Sequence, residues 1–300
     1  MSLDSDSLLD RRRLKRRLVV WRVVAIVAVV ALIGVALSEF FPPSERHVAR
    51  LNVDGIIVED RDREEALDKI ARDSSTAALI VRINSPGGTT TGSEELYHAL
   101  RRVAADKPVV AVLGTVAASG GYIAAIGADH IVARETSLTG SIGVLMQTAE
   151  FTGLMEKLGI VPHALKSKPL KGQPSPLEPL TQDARAAIQT TINDSYQWFS
   201  ELVATRRSLD SAQTAAVADG RIFTGRQARE NRLVDAIGGE RAAREWLEAE
   251  HSLPKSLPVI DLQYGEEASL SRRLVMLLAG KVLSSEVLML DGLLSVWHAE

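Results

Sequence analysis

The sequence predicts an α/β fold with a mostly parallel sheet, because apolar strand-like runs alternate with helix-like segments. Two apolar runs, residues 77–83 and 108–113, have the length and the β-branched content of strands that are buried on both faces of such a sheet. Between them, apolar residues recur at positions i, i+3, i+4 and i+7, which marks one face of a helix: Leu96, Ala99, Leu100 and Val103. Strands that alternate with helices at this spacing are typical of parallel βαβ units.

The remaining elements continue this alternation along the chain. In order, the sequence predicts a strand around 49–53, a charged helix over 59–72, a short strand at 130–133, a helix over 151–158, a long helix capped by Thr181, a helix from Gly225 to about Gly238, a helix over 241–250 and a last strand at 258–262. Five prolines predict irregular structure between residues 162 and 179.

Composition narrows the class of protein. The chain has 300 residues, of which 46% are hydrophobic, and this suffices for a sizeable core. Its formal net charge of −3 gives no indication of a nucleic-acid partner. The absence of cysteine excludes disulfides and a cysteine nucleophile, and the six histidines form no HxxxH pair, so we expect no metal site. We expect no nucleotide cofactor either, because the sequence has no GxGxxG or Gly-Lys-Ser/Thr motif.

The N-terminal region predicts a membrane anchor. Residues 1–17 are polar and end in a basic run, whereas residues 18–38 are almost entirely apolar apart from Arg22. About 20 apolar residues span a bilayer as a helix, and the basic flank predicts a cytoplasmic N-terminus. We therefore expect an uncleaved signal-anchor, with the chain beyond it outside the cytoplasm. A cleaved signal peptide is the alternative, although the apolar run is longer than a typical signal-peptide core.

Three further regions follow the predicted anchor. Residues 39–47 are interpreted as a linker, residues 48–265 as the folded domain, and residues 266–300 as an apolar tail that Lys281, Glu286 and Asp291 interrupt. These charges argue against a second membrane span. We expect instead an amphipathic segment that packs on a neighbouring subunit or lies on the membrane.

Ser119 lies where the apolar run at 108–113 gives way to a helix, and Gly120 and Gly121 follow it. A serine at such a turn can expose its hydroxyl near the positive end of the helix, and the N–H of Gly120 can point at the same place. An acyl-transfer nucleophile needs exposure, an oxyanion donor and a base, so this turn meets two of the three requirements. The alternative is that Ser119 only caps the helix.

A second glycine turn, Asn84-Ser-Pro-Gly87-Gly88-Thr89, follows the strand at 77–83. Paired glycines after a proline let the backbone approach a ligand closely and present bare N–H groups. Taken alone, this turn fits an ordinary connection between a strand and a helix equally well.

The base that would serve Ser119 remains open at this point. A Ser-His-Asp triad would need His98 or His130, and no motif places either of them. A lysine that loses its proton near neutral pH is the other solution, and Lys166, Lys168 and Lys171 all lie in the proline-rich segment. The residues alone do not choose among the three lysines.

Together these segments resemble the bacterial signal peptide peptidase A family of membrane-anchored Ser-Lys peptidases. The similarity runs in register from about residue 48 to 262 and rests on five motifs. They are Ile83-Asn-Ser-Pro-Gly-Gly88, Ala117-Ala-Ser-Gly-Gly-Tyr122, Leu138-Thr-Gly-Ser-Ile-Gly-Val144, Lys166-Ser with Lys171 and Ser175-Pro176, and Asp219-Gly-Arg-Ile-Phe-Thr-Gly-Arg-Gln-Ala228 with Leu233-Val-Asp235. Five motifs in the same order are far more specific than any single one.

The resemblance implies a Clp/crotonase-like spiral fold and a serine endopeptidase without a cofactor. Its substrates would be remnant signal peptides and other membrane-derived apolar peptides. Carried over by motif, Ser119 would be the nucleophile, Lys171 the general base, and Gly87, Gly88 and Gly120 the oxyanion hole. The chain would be the short, single-copy form, anchored in the bacterial inner membrane with its catalytic domain on the periplasmic side. Such chains would assemble into a ring-like homo-oligomer, in which the lysine could reach a neighbour's serine.

Three other functions fit parts of the pattern. A Clp-type protease shares the two glycine turns. It also needs a histidine on the turn at Gly143, within the third motif above, where this chain has Val144 and Leu145. A crotonase-like acyl-CoA enzyme would use the same glycines without Ser119, and binding of CoA would identify it. A membrane-anchored assembly protein with an inactive peptidase fold would not react with serine-directed probes.

Overall fold

A computed structural model describes residues 21–27, 46–265 and 294–296 of the chain. Residues 21–27 are helical. The remainder of the predicted anchor at 18–38, and most of the predicted tail at 266–300, lie outside the described residues. Within the described ranges, no helix is both long enough and apolar enough to cross a bilayer.

The described residues from 46 onward form a mixed α/β body. Its described strands are β1 (His47–Ile57), β2 (Thr76–Thr89), β3 (Val109–Ala118), β4 (His130–Ala133), β5 (Leu138–Gly140), β6 (Ile222–Thr224), β7 (Ala236–Ile237), β8 (Val259–Asp261) and β9 (Leu294–Val296). Its described helices are α1 (Arg61–Arg72), α2 (Thr90–Ala104), α3 (Gly120–Ala125), α4 (Thr152–Lys157), α5 (Gln182–Arg207), α6 (Ser211–Val217), α7 (Gly225–Glu230) and α8 (Glu240–His251).

The strands form one sheet in the order β6-β5-β3-β2-β1-β8. Strand β3 is central: β2 pairs along one of its edges, while β4 pairs with the first half of the other edge and β5 with the second half. The described pairings are parallel except for β5 with β6 and β2 with β9. The prediction of an α/β fold with a mostly parallel sheet is therefore confirmed.

Both faces of the central strands are buried, as the apolar run at 77–83 predicts. Along β2, Leu79, Val81 and Ile83 belong to one apolar cluster, and the alternating Ala78 and Ile80 belong to a second one. Successive side chains of a strand point to opposite faces, so each face of β2 carries its own core. This double burial fixes the register of β2 and β3 and thereby the position of the turns at their carboxyl ends.

The predicted helix from Gly225 to about Gly238 is too long. Helix α7 ends at Glu230, because the following turn carries Arg232 at a φ of 62° and buries Leu233 completely. The N–H of Asp235 then donates to the carbonyl of Ile131, and the chain joins the sheet as β7. Burial of the turn and pairing with β4 thus override the helical pattern.

The predicted last strand at 258–262 forms as β8, but it is not the last strand that the structure describes. Residues 294–296 of the predicted amphipathic tail form β9, which pairs antiparallel with the end of β2. These three residues thus pair within the same chain, whereas the sequence predicts that the tail packs on a neighbouring subunit or lies on the membrane.

Candidate active site

The turn at Ser119 is strained. Strand β3 ends at Ala118, helix α3 begins at Gly120, and Ser119 between them has a φ of 57° and a ψ of −118°. A non-glycine residue in such a conformation costs about 1–3 kcal/mol and is found mostly at functional sites. Ser119 occupies the N-cap position of α3, but its side chain makes no capping hydrogen bond to this helix.

The backbone holds this conformation from both sides. The N–H of Ser119 donates to the carbonyl of Gly140 in β5 at 2.8 Å, and its carbonyl accepts from the N–H groups of Tyr122 and Ile123. The residue is 1% exposed. The expectation of an open hydroxyl is therefore wrong for the structure as described: the serine is fixed at the turn, but it is covered.

Gly120 and Gly121 allow α3 to approach the end of β2. A β-carbon on Gly120 would lie 2.2 Å from the hydroxyl oxygen of Ser93 and 3.1 Å from the nitrogen of Gly88, and one on Gly121 would lie 2.8 Å from the carbonyl oxygen of Ser85. Distances below 3.0 Å are sterically forbidden without movement of the neighbour. The two glycine turns that the sequence indicates separately are therefore in direct contact.

The predicted glycine turn at residues 84–89 is wrong as a turn: these residues form the carboxyl end of β2, and the two glycines in it have different roles. The N–H of Gly87 donates to the Ser85 hydroxyl at 3.1 Å, so this donor is already engaged. Gly88 carries the nitrogen that lies against Gly120. A β-carbon on Gly88 would fall 1.7 Å from the carbonyl oxygen of Ile57 in β1, which leaves glycine as the residue that fits there. Of the predicted oxyanion donors, the geometry favours Gly88 and Gly120 over Gly87.

Two buried hydroxyl groups support the site, and the sequence analysis missed both. Ser93, in the first turn of α2, donates to the carbonyl of Thr89 at 2.8 Å, and Thr139 donates to the carbonyl of Ala117 at 2.7 Å. Both side chains are fully buried. Ser93 carries a usable signal, because it is a polar residue three positions before Leu96 on the apolar stripe of its helix.

Tyr122 holds α3 in place through a buried hydrogen bond. Its ring is completely buried, and its hydroxyl donates to the carbonyl of Leu233 at 2.8 Å across 111 positions of sequence. Burial raises the pKa of Tyr122 well above its ordinary value, so the phenol remains a neutral donor. The helix that follows Ser119 is thus tied to the turn after α7.

Lys171 lies in a different environment. We call residues 151–180 the lysine segment; it contains α4 and otherwise forms turns and irregular structure, as the prolines predict. The backbone N–H of Lys171 donates to the carbonyl of Lys168, and its side chain is exposed. Within the described residues this side chain makes no hydrogen bond and no ion pair, so its pairing with Ser119 remains a prediction.

The other predicted bases are less well placed. Lys166 forms an ion pair with Glu178, which also accepts a hydrogen bond from Gln173. His130 is in register with Val110 at the start of β3, whereas Ser119 follows the end of this strand of 10 residues, about 30 Å away at ~3.3 Å per residue. His98 is exposed on α2, with its ring nitrogen 3.8 Å from Glu94.

His130 instead has a structural environment. Its ring stacks on Trp246 with centroids 4.8 Å apart, and its Nδ1 lies 4.0 Å from the carboxylate of Asp235. Burial lowers the pKa of His130 despite this carboxylate, so a neutral ring is favoured. We therefore set His130 aside as a base for Ser119.

Comparison with known proteins identifies the family of this chain. The model of peptidase family S49 matches residues 101–253, which include both Ser119 and Lys171. This chain belongs to peptidase family S49. The predicted resemblance to the signal peptide peptidase A family is thereby confirmed.

Several similar proteins carry protease names. A candidate protease of Synechocystis sp. is 39% identical over 209 residues, which cover 69% of this chain and 75% of that protein. A candidate signal peptide peptidase SppA of Enterococcus faecium is 34% identical over 224 residues, 70% of this chain and 65% of that protein. The chloroplastic serine protease SPPA of Arabidopsis thaliana is 37% identical over 185 residues, 59% of this chain but 27% of that longer protein.

Proposed function

We propose that this S49 family member is a serine endopeptidase in which Ser119 is the nucleophile and Lys171 the general base. The observation that carries the proposal is the geometry at Ser119. A strained serine stands between a strand and a helix, and the nitrogen of Gly88 lies against the adjacent Gly120. Nucleophiles of acyl transfer are held in this way beside backbone donors.

The reaction follows from the roles of these groups. The neutral amine of Lys171 accepts the proton of the Ser119 hydroxyl as Oγ attacks the peptide carbonyl carbon. The N–H groups of Gly88 and Gly120 stabilise the oxyanion. When the tetrahedral intermediate collapses, the C–N bond breaks and the Lys171 ammonium protonates the leaving amine. Water, deprotonated by the same amine, then hydrolyses the ester on Ser119 and regenerates the serine.

In this proposal the base reaches the serine by assembly. Lys171 is exposed on a segment that also exposes large apolar side chains: Phe151, Leu154, Leu158, Ile160, Val161, Leu165 and Leu170. Exposed apolar groups concentrated in one segment are typical of a surface that another chain covers. A ring-like homo-oligomer would bury this segment and bring a lysine to each serine, either from the same chain or from a neighbour.

The proposed substrates are remnant signal peptides and similar apolar peptides at the bacterial inner membrane. The apolar residues 18–38 would anchor the chain, the basic residues before them would keep the N-terminus in the cytoplasm, and the peptidase domain would face the periplasmic side. A membrane-anchored protein meets peptides left in the bilayer without a separate targeting step.

The proposal is tested with detergent-solubilised full-length protein and an apolar reporter peptide. Ser119→Ala should reduce kcat/KM by at least about 10³-fold. Ser137→Ala is the matched control, because Ser137 is equally buried but bonds to the carbonyl of Gly114 instead. Normal hydrolysis by Ser119→Ala would defeat the proposal.

A mixing experiment then locates the base. Ser119→Ala chains mixed with Lys171→Ala chains should regain activity if serine and lysine belong to different subunits, and should stay inactive if they belong to one. Exchange of subunits is monitored by a tag on one variant.

A further inference from the structure

A polar cavity of about 330 Å³ lies between the C-terminal end of α5 and the turn that follows α7. We call it the arginine cavity, because four arginines and two aspartates line it: Asp129, Arg206, Arg207, Arg229, Arg232 and Asp235. It shares no residue with the Ser119 turn or the lysine segment. Positive charge at a concave surface concentrates anions, so the balance of these charges decides what the cavity can bind.

Both aspartates of the arginine cavity already have an arginine partner. Arg207 donates to the two carboxylate oxygens of Asp235 at 2.6 and 3.1 Å. Arg101, which does not line the cavity, donates to Asp129 at 2.8 Å. The charge of each carboxylate is therefore already balanced.

Three guanidinium groups of the cavity remain without an acidic partner. Within the described residues, Arg206, Arg229 and Arg232 form no ion pair. Arg206 is partly buried, and burial together with the charge of Arg101 lowers its pKa from the ordinary value. Positive charges crowded in this way are stabilised by an anion placed among them.

Arg232 has a backbone conformation that favours glycine. Its φ is 62°, in the left-handed region where a side chain costs energy. Ser208, which lines the same cavity directly after α5, has a φ of 50°. Strained residues of this kind persist where the surrounding structure holds them, and they cluster at ligand sites. An arginine at a position that suits glycine therefore indicates a role for its guanidinium group.

The arginines of the cavity also hold the helix that begins after Ser119. Arg206 donates to two carbonyl groups just beyond the C-terminal end of α3, at 2.8 and 2.9 Å. Arg207 donates to the carbonyl of Arg232 at 2.8 Å, and the carbonyl of the residue after it accepts the hydroxyl of Tyr122 in α3. A ligand in the cavity would therefore contact the groups that fix α3.

We propose that the arginine cavity binds an anion that carries a phosphate monoester group or is inorganic phosphate. Guanidinium groups present paired N–H donors that match phosphate oxygens, and such a phosphate carries close to two negative charges near neutral pH. A single carboxylate would leave two of the three guanidinium charges unbalanced. The site lies outside the proposed dyad, so the inference goes beyond the proposed function and does not depend on it.

A glycine at position 232 tests the site without damage to the fold. Arg232→Gly removes one of the three guanidinium groups and suits the φ of 62°, so we expect the variant to be about as stable as the parent. Arg226→Gln is the matched control, because Arg226 lies on α7 outside the cavity and pairs with Glu135.

Detergent-solubilised full-length protein is titrated with inorganic phosphate at constant ionic strength in a calorimeter. We expect saturable binding to the parent and to Arg226→Gln, and an affinity at least about tenfold weaker in Arg232→Gly. No saturable binding to the parent, or equal affinity in Arg232→Gly and the parent, would overturn the inference. An equal loss in Arg226→Gln would overturn it too, because net charge and not the cavity would then attract the anion.

Hydrogen exchange locates the bound anion. With phosphate at ten times its measured Kd, exchange of the amides of α3 and of residues 229–235 should slow by about tenfold in the parent and in Arg226→Gln. At the same phosphate concentration the effect should be smaller in Arg232→Gly. Binding without any protection of these two segments would contradict the assignment to the arginine cavity.

Mixed micelles identify the source of the phosphate group. If phosphatidic acid competes with inorganic phosphate and phosphatidylcholine does not, the ligand is a lipid headgroup. If neither lipid competes, the cavity takes a free phosphate compound, and the site itself is supported in both cases. Peptide hydrolysis enters none of these measurements, so a failure of the proposed function leaves the inference to be decided by binding alone.

Discussion

The Ser119 turn and the lysine segment differ in how firmly the chain holds them. Around Ser119, the glycines of β2 and α3 approach neighbouring backbone so closely that a β-carbon would clash. The N–H of Ser119 also donates to the Gly140 carbonyl of β5, and the residue is buried. In the lysine segment, residues 151–180, most side chains are exposed and Lys171 has no side-chain partner among the described residues. The two proposed halves of one catalytic dyad are therefore built differently.

This difference suggests a division of labour. The nucleophile and its oxyanion donors must be preorganised, because a shift of about 1 Å in such a site can cost 10²-fold in rate. The proposed base lies on the exposed lysine segment, which in our proposal another surface covers. Activity would then depend on assembly even though the nucleophile is already in place.

The same substitution should have opposite effects in the two regions. Gly88→Ala places a β-carbon 1.7 Å from the Ile57 carbonyl, and we expect it to lower the free energy of unfolding by more than about 3 kcal/mol. Gly153→Ala, in α4 of the lysine segment, meets nothing within 4 Å and should be neutral or stabilise by up to about 1 kcal/mol. Thermal or denaturant unfolding measures both. Similar stability of the two variants would contradict the tight contact between β1 and β2.

Loss of the buried hydrogen bond from Tyr122 to Leu233 should give the next largest effect on stability. Tyr122→Phe leaves the buried carbonyl of Leu233 without its donor, which should cost about 1–3 kcal/mol of unfolding free energy. Tyr196→Phe is the matched control: it also removes a bond to a carbonyl, that of Ala218, but Tyr196 is 37% exposed and water can replace the hydroxyl. We expect less than about 1 kcal/mol there. An equal cost in both variants would show that burial is not the cause.

The strained backbone at Ser119 predicts that a glycine in its place stabilises the fold while it removes the proposed nucleophile. Ser119→Gly relieves a backbone conformation that costs about 1–3 kcal/mol, and loses about 0.4–1 kcal/mol through greater freedom of the unfolded chain. The free energy of unfolding of Ser119→Gly should therefore be about 1 kcal/mol higher than that of Ser119→Ala. We expect neither variant to hydrolyse peptides. Ser137→Gly, at a buried serine without a positive φ, should be destabilised instead.

We expect acid pH to lower the stability of the α/β body that contains the Ser119 turn, without an effect on the lysine segment. Burial alone would raise the pKa of Asp73, but hydrogen bonds from Thr76 and Ser75 and the nearby Lys107 outweigh it and lower this pKa to about 2. The unfolded chain then binds more protons than the folded one between pH about 4 and 2, so stability falls as pH falls through this range. After allowance for solvent screening the loss is about 1 kcal/mol.

Asp73→Asn should remove this component of the acid sensitivity. Its unfolding free energy should lie below that of the parent at pH 5 and approach it near pH 2. Hydrogen exchange of the lysine segment should be the same in both proteins at each pH. A parallel change in that segment would show that the two regions are coupled more tightly than their contacts indicate.

The sequence predicts the central sheet well, because its strands and helices depend on local patterns. The apolar runs at 77–83 and 108–113 form strands as expected, and the apolar stripe of α2 is buried. The predicted cap also forms, since the hydroxyl of Thr181 accepts from the N–H of Ala184. Helix α6 is absent from the prediction although its capping box, Asp210 with Gln213, is a readable signal.

The candidate site could be predicted only as separate pieces. Each glycine turn is visible in the sequence, but their contact depends on the parallel register of β2 and β3. Ser93 is visible as a polar residue on the apolar stripe of α2, but its approach to Gly120 is a tertiary contact, and no local pattern indicates the bond from Thr139 to Ala117. Strand β9 is far from β2 in the chain, and its apolar composition suits a membrane surface as well as a sheet edge. The position of Lys171 relative to Ser119 is not fixed by any local rule.

The most direct test of the account is the rate at which a fluorophosphonate probe labels Ser119 in the full-length protein. It is measured for the parent, for Ser119→Ala and Lys171→Ala, and for the control Lys168→Ala, which removes another exposed lysine from the same segment. We expect labelling to disappear in Ser119→Ala, to fall at least about 10²-fold in Lys171→Ala and to be unchanged in Lys168→Ala. Labelling of Lys171→Ala at the parent rate would contradict it, because the preformed turn would then be reactive without the lysine.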